Sequence, residues 1–260
     1  MIKLTGPWNP PTFNKINFPC GEAHIRVEGL NDEPVNISWF YENDAEVLEL
    51  LFLVDAIKRE GRAIDELFIP YFPFARQDRI AVKGEAFTLK VVADLINSIQ
   101  AKKVVVIDPH SDVTTALLNN VHVVTQDEVF APFLTELFGT YNKSYWLVAS
   151  DAGTQKKIHK TAQRSIGNVL GVIDCGKIRN VSTGEITGVK VYTKGLYGKP
   201  CVILDDICDG GRTFIEVAKK LKENDPGEII LMVTHGFFTK GLDVFQGLID
   251  KIYTRSGRVI

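Results

Sequence analysis

Val202-Ile-Leu-Asp-Asp-Ile-Cys-Asp-Gly-Gly-Arg-Thr213 decides the fold. An apolar strand, Cys201–Leu204, runs into Asp205 and Asp206. A third acid, Asp209, and the pair Gly210-Gly211 follow, and a helix pattern resumes over Phe214–Glu223. Strands that are apolar throughout belong to parallel sheets covered on both faces. Ligands of open α/β sheets collect outside the carboxyl ends of such strands. Glycines let backbone N–H groups converge on a phosphate, and the start of the next helix adds a favourable dipole. Two adjacent carboxylates can accept hydrogen bonds from vicinal ribose hydroxyls. A capped strand end with a glycine turn accounts for the glycines, but not for three acids beside them. The stretch reads as a ribose-phosphate site.

Outward from this point, strand-length apolar runs alternate with helical patterns. Strands are expected at Ala23–Val27, Val35–Tyr41, Glu66–Ile69, Lys103–Ile107, Tyr145–Ala149, Val169–Ile173 and Glu228–Val233. Helices are expected at Ala45–Arg59, Leu89–Gln100, Val113–Leu118, Glu128–Phe138, Gln155–Ala162 and Gly241–Leu248. In Ala45–Arg59, Val47, Leu50, Leu51, Val54 and Ile57 share one face at helical spacing. The alternation implies βαβ units, hence an α/β fold of two doubly wound domains with mainly parallel sheets. The polar break Phe138–Lys143 divides the chain into domains 1–140 and 141–260. The stretch Lys177–Tyr192 reads as a hairpin or mobile loop.

Composition sets the outer limits. The 260 residues are 45% apolar and 24% charged, ordinary values for a globular protein. Lys and Arg total 30 against 32 Asp and Glu, a net charge of −2. That balance argues against nucleic acid or an anionic membrane as partner. No apolar run approaches the roughly 20 residues that span a bilayer, and Met1–Thr5 is not an apolar leader. A cytoplasmic location is expected. Cys20, Cys175, Cys201 and Cys208 include no C-x-x-C pair, so they read as reduced core or loop residues.

Four further clusters follow expected strands or loops. Tyr71-Phe-Pro-Phe-Ala-Arg-Gln-Asp-Arg79 puts two guanidinium groups and an amide in one turn, which suits phosphate and base contacts, although a solvated charged loop would look the same. Val106-Ile-Asp-Pro-His-Ser111 offers His110 to a metal or phosphate. Val148-Ala-Ser-Asp-Ala-Gly-Thr154 offers Asp151 to Mg²⁺, a hard cation preferring oxygen. Lys177 and Arg179 are cations suited to a transferred phosphoryl group.

In this combination and order the motifs resemble the phosphoribosyl pyrophosphate synthetases. Phe18-Pro-Cys-Gly-Glu22 is similar to the family's F-x-D-G-E. Pro70–Arg79 is similar to P-Y-F-x-Y-A-R-Q-D-R, and Asp108-Pro-His110 to D-L-H. Ser150-Asp-Ala-Gly153 matches S/P-D-x-G, Leu204–Asp209 matches V-D-D-x-x-D, and Thr234-His-Gly236 matches T-H-G. The resemblance implies two phosphoribosyltransferase-like domains, assembled as a homo-oligomer, a dimer or hexamer. It implies ATP held by Phe18, Glu22, Arg76, Gln77 and Asp78, and Mg²⁺ held by His110 and Asp151. It implies catalysis by Lys177, Arg179 and His110. The ribose phosphate would lie among Asp205, Asp206, Asp209, Gly210, Gly211, Arg212 and Thr213.

The implied reaction moves the diphosphate of Mg·ATP to the C1 hydroxyl of ribose 5-phosphate. Departures from the family pattern matter. Asp209-Gly-Gly-Arg-Thr213 stands where the family has D-T-G-G-T, losing a hydroxyl at Gly210 and gaining a cation at Arg212. Gly210 would make room, and Arg212 would offset a second phosphate, if the acceptor were ADP-ribose and the role NAD⁺ resynthesis. Cys20 replaces an acid, which weakens a contact to the adenine amino group. The stop at Ile260 implies that the family's regulatory C-terminal segment is missing. A phosphoribosyltransferase, or a non-catalytic regulatory member of the family, are the remaining alternatives.

Overall fold

The computed structural model describes residues 1–6, 10–139, 143–164, 168–179, 186–193 and 195–260; for 177–179 and 186–189 it describes the backbone alone. Two compact units are present, Met1–Val124 and Thr125–Ile260.

In the first unit the elements are β1 (Ile2–Thr5), β2 (Thr12–Asn17), β3 (Ala23–Glu28), β4 (Val35–Trp39), α1 (Ala45–Arg59), β5 (Ile64–Ile69), α2 (Thr88–Ser98), β6 (Lys103–Ile107), α3 (Asp112–Leu117) and β7 (Val121–Val124). Among the described residues, its main sheet has the order β1-β4-β5-β6-β7. Strands β4 to β7 are parallel and β1 is antiparallel at the edge. Strands β2 and β3 form a separate antiparallel hairpin. The core joins Ile37, Trp39, Leu67, Ile69, Val104 and Val106 of the sheet to Leu50, Leu53, Val54 and Ile57 of α1 and Leu89, Ala93 and Ile96 of α2. Leu53, rather than the expected Leu51, is fully buried. The buried stripe of α1 is broader than one sheet contact requires because the helix also packs against β3.

The second unit comprises α4 (Gln126–Leu134), β8 (Ser144–Ala149), α5 (Gln155–Arg164), β9 (Asn168–Arg179), β10 (Ile186–Val191), β11 (Cys201–Cys208), α6 (Arg212–Lys222), β12 (Ile229–Gly236), β13 (Lys251–Thr254) and β14 (Gly257–Arg258). The sheet order is β10-β9-β8-β11-β12-β13-β14, with β9, β8, β11, β12 and β13 parallel. One face is filled by Val217, Ala218 and Leu221 of α6 over Ile203, Leu231 and Val233. The other is filled by Phe130, Leu134 and Ile158 under Leu147, Val202 and Ile230.

The α/β class and mainly parallel sheets agree with the sequence reading. The unit boundary falls earlier than the polar break at Phe138–Lys143. The reason is packing: Phe130, Leu134 and Phe138 are buried in the second unit's core, so α4 belongs there. The expected helix Gly241–Leu248 is a single 3-10 turn, Asp243–Phe245. Gly241 and Gly247 bracket it with φ of +74° and +73°, which no helix propagates through. Strands β9, β11 and β12 run well past their expected ends because partners extend them. Strand β11 continues to Cys208 alongside His235 and Gly236, and β9 continues to Arg179 alongside β10. Among the described residues, no helix is long and apolar enough to cross a membrane.

Candidate active site

Parallel strands deliver their carboxyl ends to one edge, and the second unit's chemistry lies there. Strand β11 pairs Leu204 with Ala149, which sets Asp205 beside Ser150. The Ser150 hydroxyl donates to Asp205 Oδ2 at 2.6 Å, and the Asp206 amide donates to Oδ1 at 2.8 Å. Asp205 and Asp206 are both buried. Burial, and next the negative Asp206 carboxylate beside it, push the Asp205 carboxyl well above its usual range.

A raised pKa means that the folded unit binds the proton more tightly than the unfolded chain does. Stability is therefore complete at low pH and is lost as pH rises through the raised value. Asp205→Asn removes that loss while keeping an acceptor for the Asp206 amide. The variant should melt at least about 3 °C above wild type near pH 8, with the gap narrowing towards about pH 5. Thermal melts across that range check it; a variant melting below wild type at the alkaline end refutes the assignment.

Beyond Cys208 the chain turns through Asp209 and Gly210 to Gly211, which opens α6 from a left-handed conformation with φ of +76°. A Cβ on Gly211 would lie 2.4 Å from Phe245 Cζ, so only glycine fits. Gly210 differs. A Cβ there would meet Lys240 Cδ and Cε at 3.4 Å. A side chain there would be in ordinary contact with the flexible stem of Lys240, which borders the space that the sequence reading expected to be open. Thr239 donates from its hydroxyl to Asp209 Oδ1 at 2.7 Å and from its amide to Asp209 O at 3.1 Å. Arg212 is exposed at the first position of α6.

Asp151 follows β8. Its Oδ1 accepts from the amides of Gly153 at 2.9 Å and Thr154 at 3.3 Å, so it also shapes the turn into α5. Strand β9 pairs Asp174 with Ala149, the last residue of β8; Cys175–Arg179 run past that point paired with β10. The backbones of Lys177 and Arg179 are therefore on an antiparallel hairpin arm rising from the carboxyl edge, as the hairpin reading expected. Their side chains lie outside the described residues.

In the first unit, β5 ends at Ile69 and β6 at Ile107, and these neighbours bring Pro70–Arg79 and Asp108–Ser111 together; the Ile107 amide donates to Pro70 O at 3.2 Å. Phe74 and Asp108 hold left-handed φ of 60° and 41° at these strand ends. Such strain persists only where the surroundings enforce it, and it gathers at functional sites. Arg76 and Gln77 are exposed. Asp78, in contrast, is buried and grips Arg79 through Nε–Oδ1 at 2.6 Å and Nη2–Oδ2 at 3.0 Å. The Arg79 hydrogen bond, with smaller contributions from Ser111 and His110, holds the Asp78 carboxyl below its usual range. Asp78 thus braces the turn through Arg79. Phe18 and Glu22 are exposed at the tip of the β2–β3 hairpin, where the Phe18 amide donates to Glu22 O at 2.8 Å.

Sequence reasoning missed Ser150, Thr239 and Lys240, whose roles depend on neighbours distant in the chain. It also missed Arg255, whose Nη1 lies 3.5 Å from His235 Nδ1, with burial lowering its pKa. Cys175, Cys201 and Cys208 are buried and their thiols are pushed up to about 12, mainly by burial, so they are unreactive core residues; Cys20 is exposed.

Comparison with known proteins agrees with this arrangement. Residues 31–117 match the model of the N-terminal domain of ribose phosphate pyrophosphokinase, and residues 163–243 match the phosphoribosyl transferase domain. The chain is 33% identical to a ribose-phosphate pyrophosphokinase of Mycoplasma pneumoniae, covering 96% of this chain and 77% of that one. It is 30% identical to one of Thermococcus kodakarensis, covering 86% and 77%. In fold it resembles the crystal structure of a phosphoribosylpyrophosphate synthetase from Mycobacterium smegmatis, with a TM-score of 0.75 and 22% identity over 94% of this chain and 79% of that one. By the extent of these matches, the chain belongs to the ribose-phosphate pyrophosphokinase family.

Proposed function

We propose that the protein transfers the β,γ-diphosphate of ATP to the C1 hydroxyl of ribose 5-phosphate, releasing AMP. The buried Asp205–Asp206 pair set directly before the Asp209–Thr213 loop is the observation that carries this reading. The carboxylates suit vicinal ribose hydroxyls, and the glycine turn at the start of α6 suits the 5-phosphate. Arg76 and Gln77, exposed beside a strained strand end, suit the nucleotide. A phosphoribosyltransferase would not need a first unit like the N-terminal pyrophosphokinase domain. The relatives the chain matches are ribose-phosphate pyrophosphokinases, which favours ribose 5-phosphate over ADP-ribose as the acceptor.

Mg²⁺ fits the donor set. Asp151, just after β8, offers the hard oxygen that Mg²⁺ prefers, and His110 is the second ligand the family resemblance assigns. Among the described residues no three donors form a closed cage. That suits a cation that takes one or two carboxylates and completes its shell with water and phosphate oxygens. When bound with ATP, it would neutralise the β- and γ-phosphates. The protein's share is positioning and electrostatics. The C1 oxygen attacks the β-phosphorus, the bond from that phosphorus to the α-bridging oxygen breaks, AMP leaves, and the hydroxyl proton is lost. Lys177, Arg179 and His110 are assigned to the charge that develops.

With Mg·ATP and ribose 5-phosphate, AMP should appear in step with a product carrying a 1-diphosphate, by chromatography and mass. Stoichiometric ADP without AMP would instead mean transfer of one phosphoryl group, and no nucleotide consumption would mark a non-catalytic member of the family.

A further inference from the structure

We propose that Lys240 is a specificity-determining residue that binds the acceptor's 5-phosphate, held across Gly210 by its methylene stem. This rests on the reading of Asp209–Thr213 as the phosphate loop.

The segment after β12 is fastened to that loop at successive points. The amides of Phe237 and Phe238 donate to Cys208 O at 2.8 and 3.3 Å. Thr239 grips Asp209 through both its amide and its hydroxyl. The Gly241 amide donates to Phe238 O at 2.8 Å and closes the turn. Phe238 sits at a left-handed φ of 48°, with its ring edge-on to the buried Phe245 at 6.2 Å. A non-glycine residue persists there only because these contacts enforce it. Lys240 therefore leaves a backbone with little freedom.

Its direction is set as well. Carbons γ, δ and ε of Lys240 line the space beside Gly210, at 3.4 to 3.6 Å from where a Cβ would stand. The stem runs along the loop that the helix start makes attractive to anions. Among the described residues, Lys240 has no ion-pair or hydrogen-bond partner, although Asp209 is adjacent to its neighbour; the Thr239 hydroxyl already occupies Asp209 Oδ1. A dianionic phosphate exceeds what the dipole of α6 offsets, about half a charge. Lys240 from one side and Arg212 from the helix start would supply the rest. On this account the stem of Lys240 lies alongside Gly210 and the acceptor's phosphate meets its ammonium group.

The test measures ribose 5-phosphate affinity directly by calorimetry, beside AMP release, for wild type, Lys240→Met, Lys240→Arg, Gly210→Thr and the double variant Gly210→Thr/Lys240→Met. Methionine keeps much of the stem and removes the charge. Kd for ribose 5-phosphate should weaken about tenfold in Lys240→Met, the scale of one charge-assisted hydrogen bond, and recover largely in Lys240→Arg. ATP affinity and melting temperature should not move. Gly210→Thr should also weaken binding, by pushing the stem aside, and the double variant should be no worse than the poorer single one. An unchanged Kd in Lys240→Met overturns the proposal even if wild type releases AMP. A wild type that binds ribose 5-phosphate without releasing AMP defeats the functional reading alone, and Lys240 is still judged by Kd. A wild type that binds none overturns both.

Discussion

Lys177→Ala and Arg179→Ala should each lower kcat about 10²–10³-fold, with KM for ATP and for ribose 5-phosphate changing only a few-fold. The magnitude is that of removing one preorganised donor from charge that develops in the transition state. The placement supports it. Strand β9 leaves its parallel neighbour at Asp174 and continues with β10 alone, so Lys177 and Arg179 belong to an arm that extends past the strand ends carrying Asp151 and Asp205. An arm with one pairing partner can adjust as substrates load, and groups that engage late act on kcat rather than on ground-state binding. Steady-state AMP release with both substrates varied checks this. A large KM increase at unchanged kcat would show that these cations bind substrate and transition state equally. Arg179 pairs with Ile186 and Lys177 with Val189 in the backbone ladder, which alanine keeps, so neither replacement should shift the melting temperature.

Gly211→Ala should be the most damaging single substitution in the phosphate loop. A left-handed conformation costs a non-glycine residue about 1–2 kcal/mol. The added carbon would also be driven to 2.4 Å from the ring of Phe245, which is 1% exposed and cannot retreat. Overpacking of that kind costs about 1–3 kcal/mol. Together these imply a melting temperature lower by about 10 °C, with ribose 5-phosphate binding lost. Gly210→Ala is the control: its Cβ meets the end of a flexible side chain, and its loss of stability should be small. Phe245→Leu offers a second check, since shortening the ring should reduce the penalty of Gly211→Ala. Equal melting temperatures for the Gly210 and Gly211 variants would show that the backbone there is freer than the geometry implies.

The two loops show how far a local pattern can be read. Asp205 and Asp206 announce themselves as carboxylates after an all-apolar strand, and their adjacency already implies repulsion. The proton affinity of Asp205 does not appear locally, because burial in the folded unit is its main cause, while the hydroxyl of Ser150, far away in the chain, works against it. Asp78 shows the reverse error. In an alternating turn, Arg76-Gln77-Asp78-Arg79, all four side chains look available to a ligand. Asp78 is in fact buried beside the Asp108–Ser111 turn and braces Arg79.

Local pattern was enough for the α/β class, the parallel sheets, α1 to its terminal residues, and the places of the A-R-Q-D-R and D-P-H motifs just past strand ends; Asp205 and Asp206 lie inside β11, which runs on to Cys208. These follow from periodicity and from Gly, Pro and charge placement, which act over a few residues. Where α4 belongs, how far β9 and β11 extend, why Gly241–Leu248 is not a helix, and which side chain borders Gly210 became visible only in the folded chain. Each depends on a partner remote in sequence: the apolar face under β8, the strands β10 and β12, the stem of Lys240. A side chain's local pattern records which face it can bury, but the occupant of the space beside it is fixed only when the strands are ordered into a sheet.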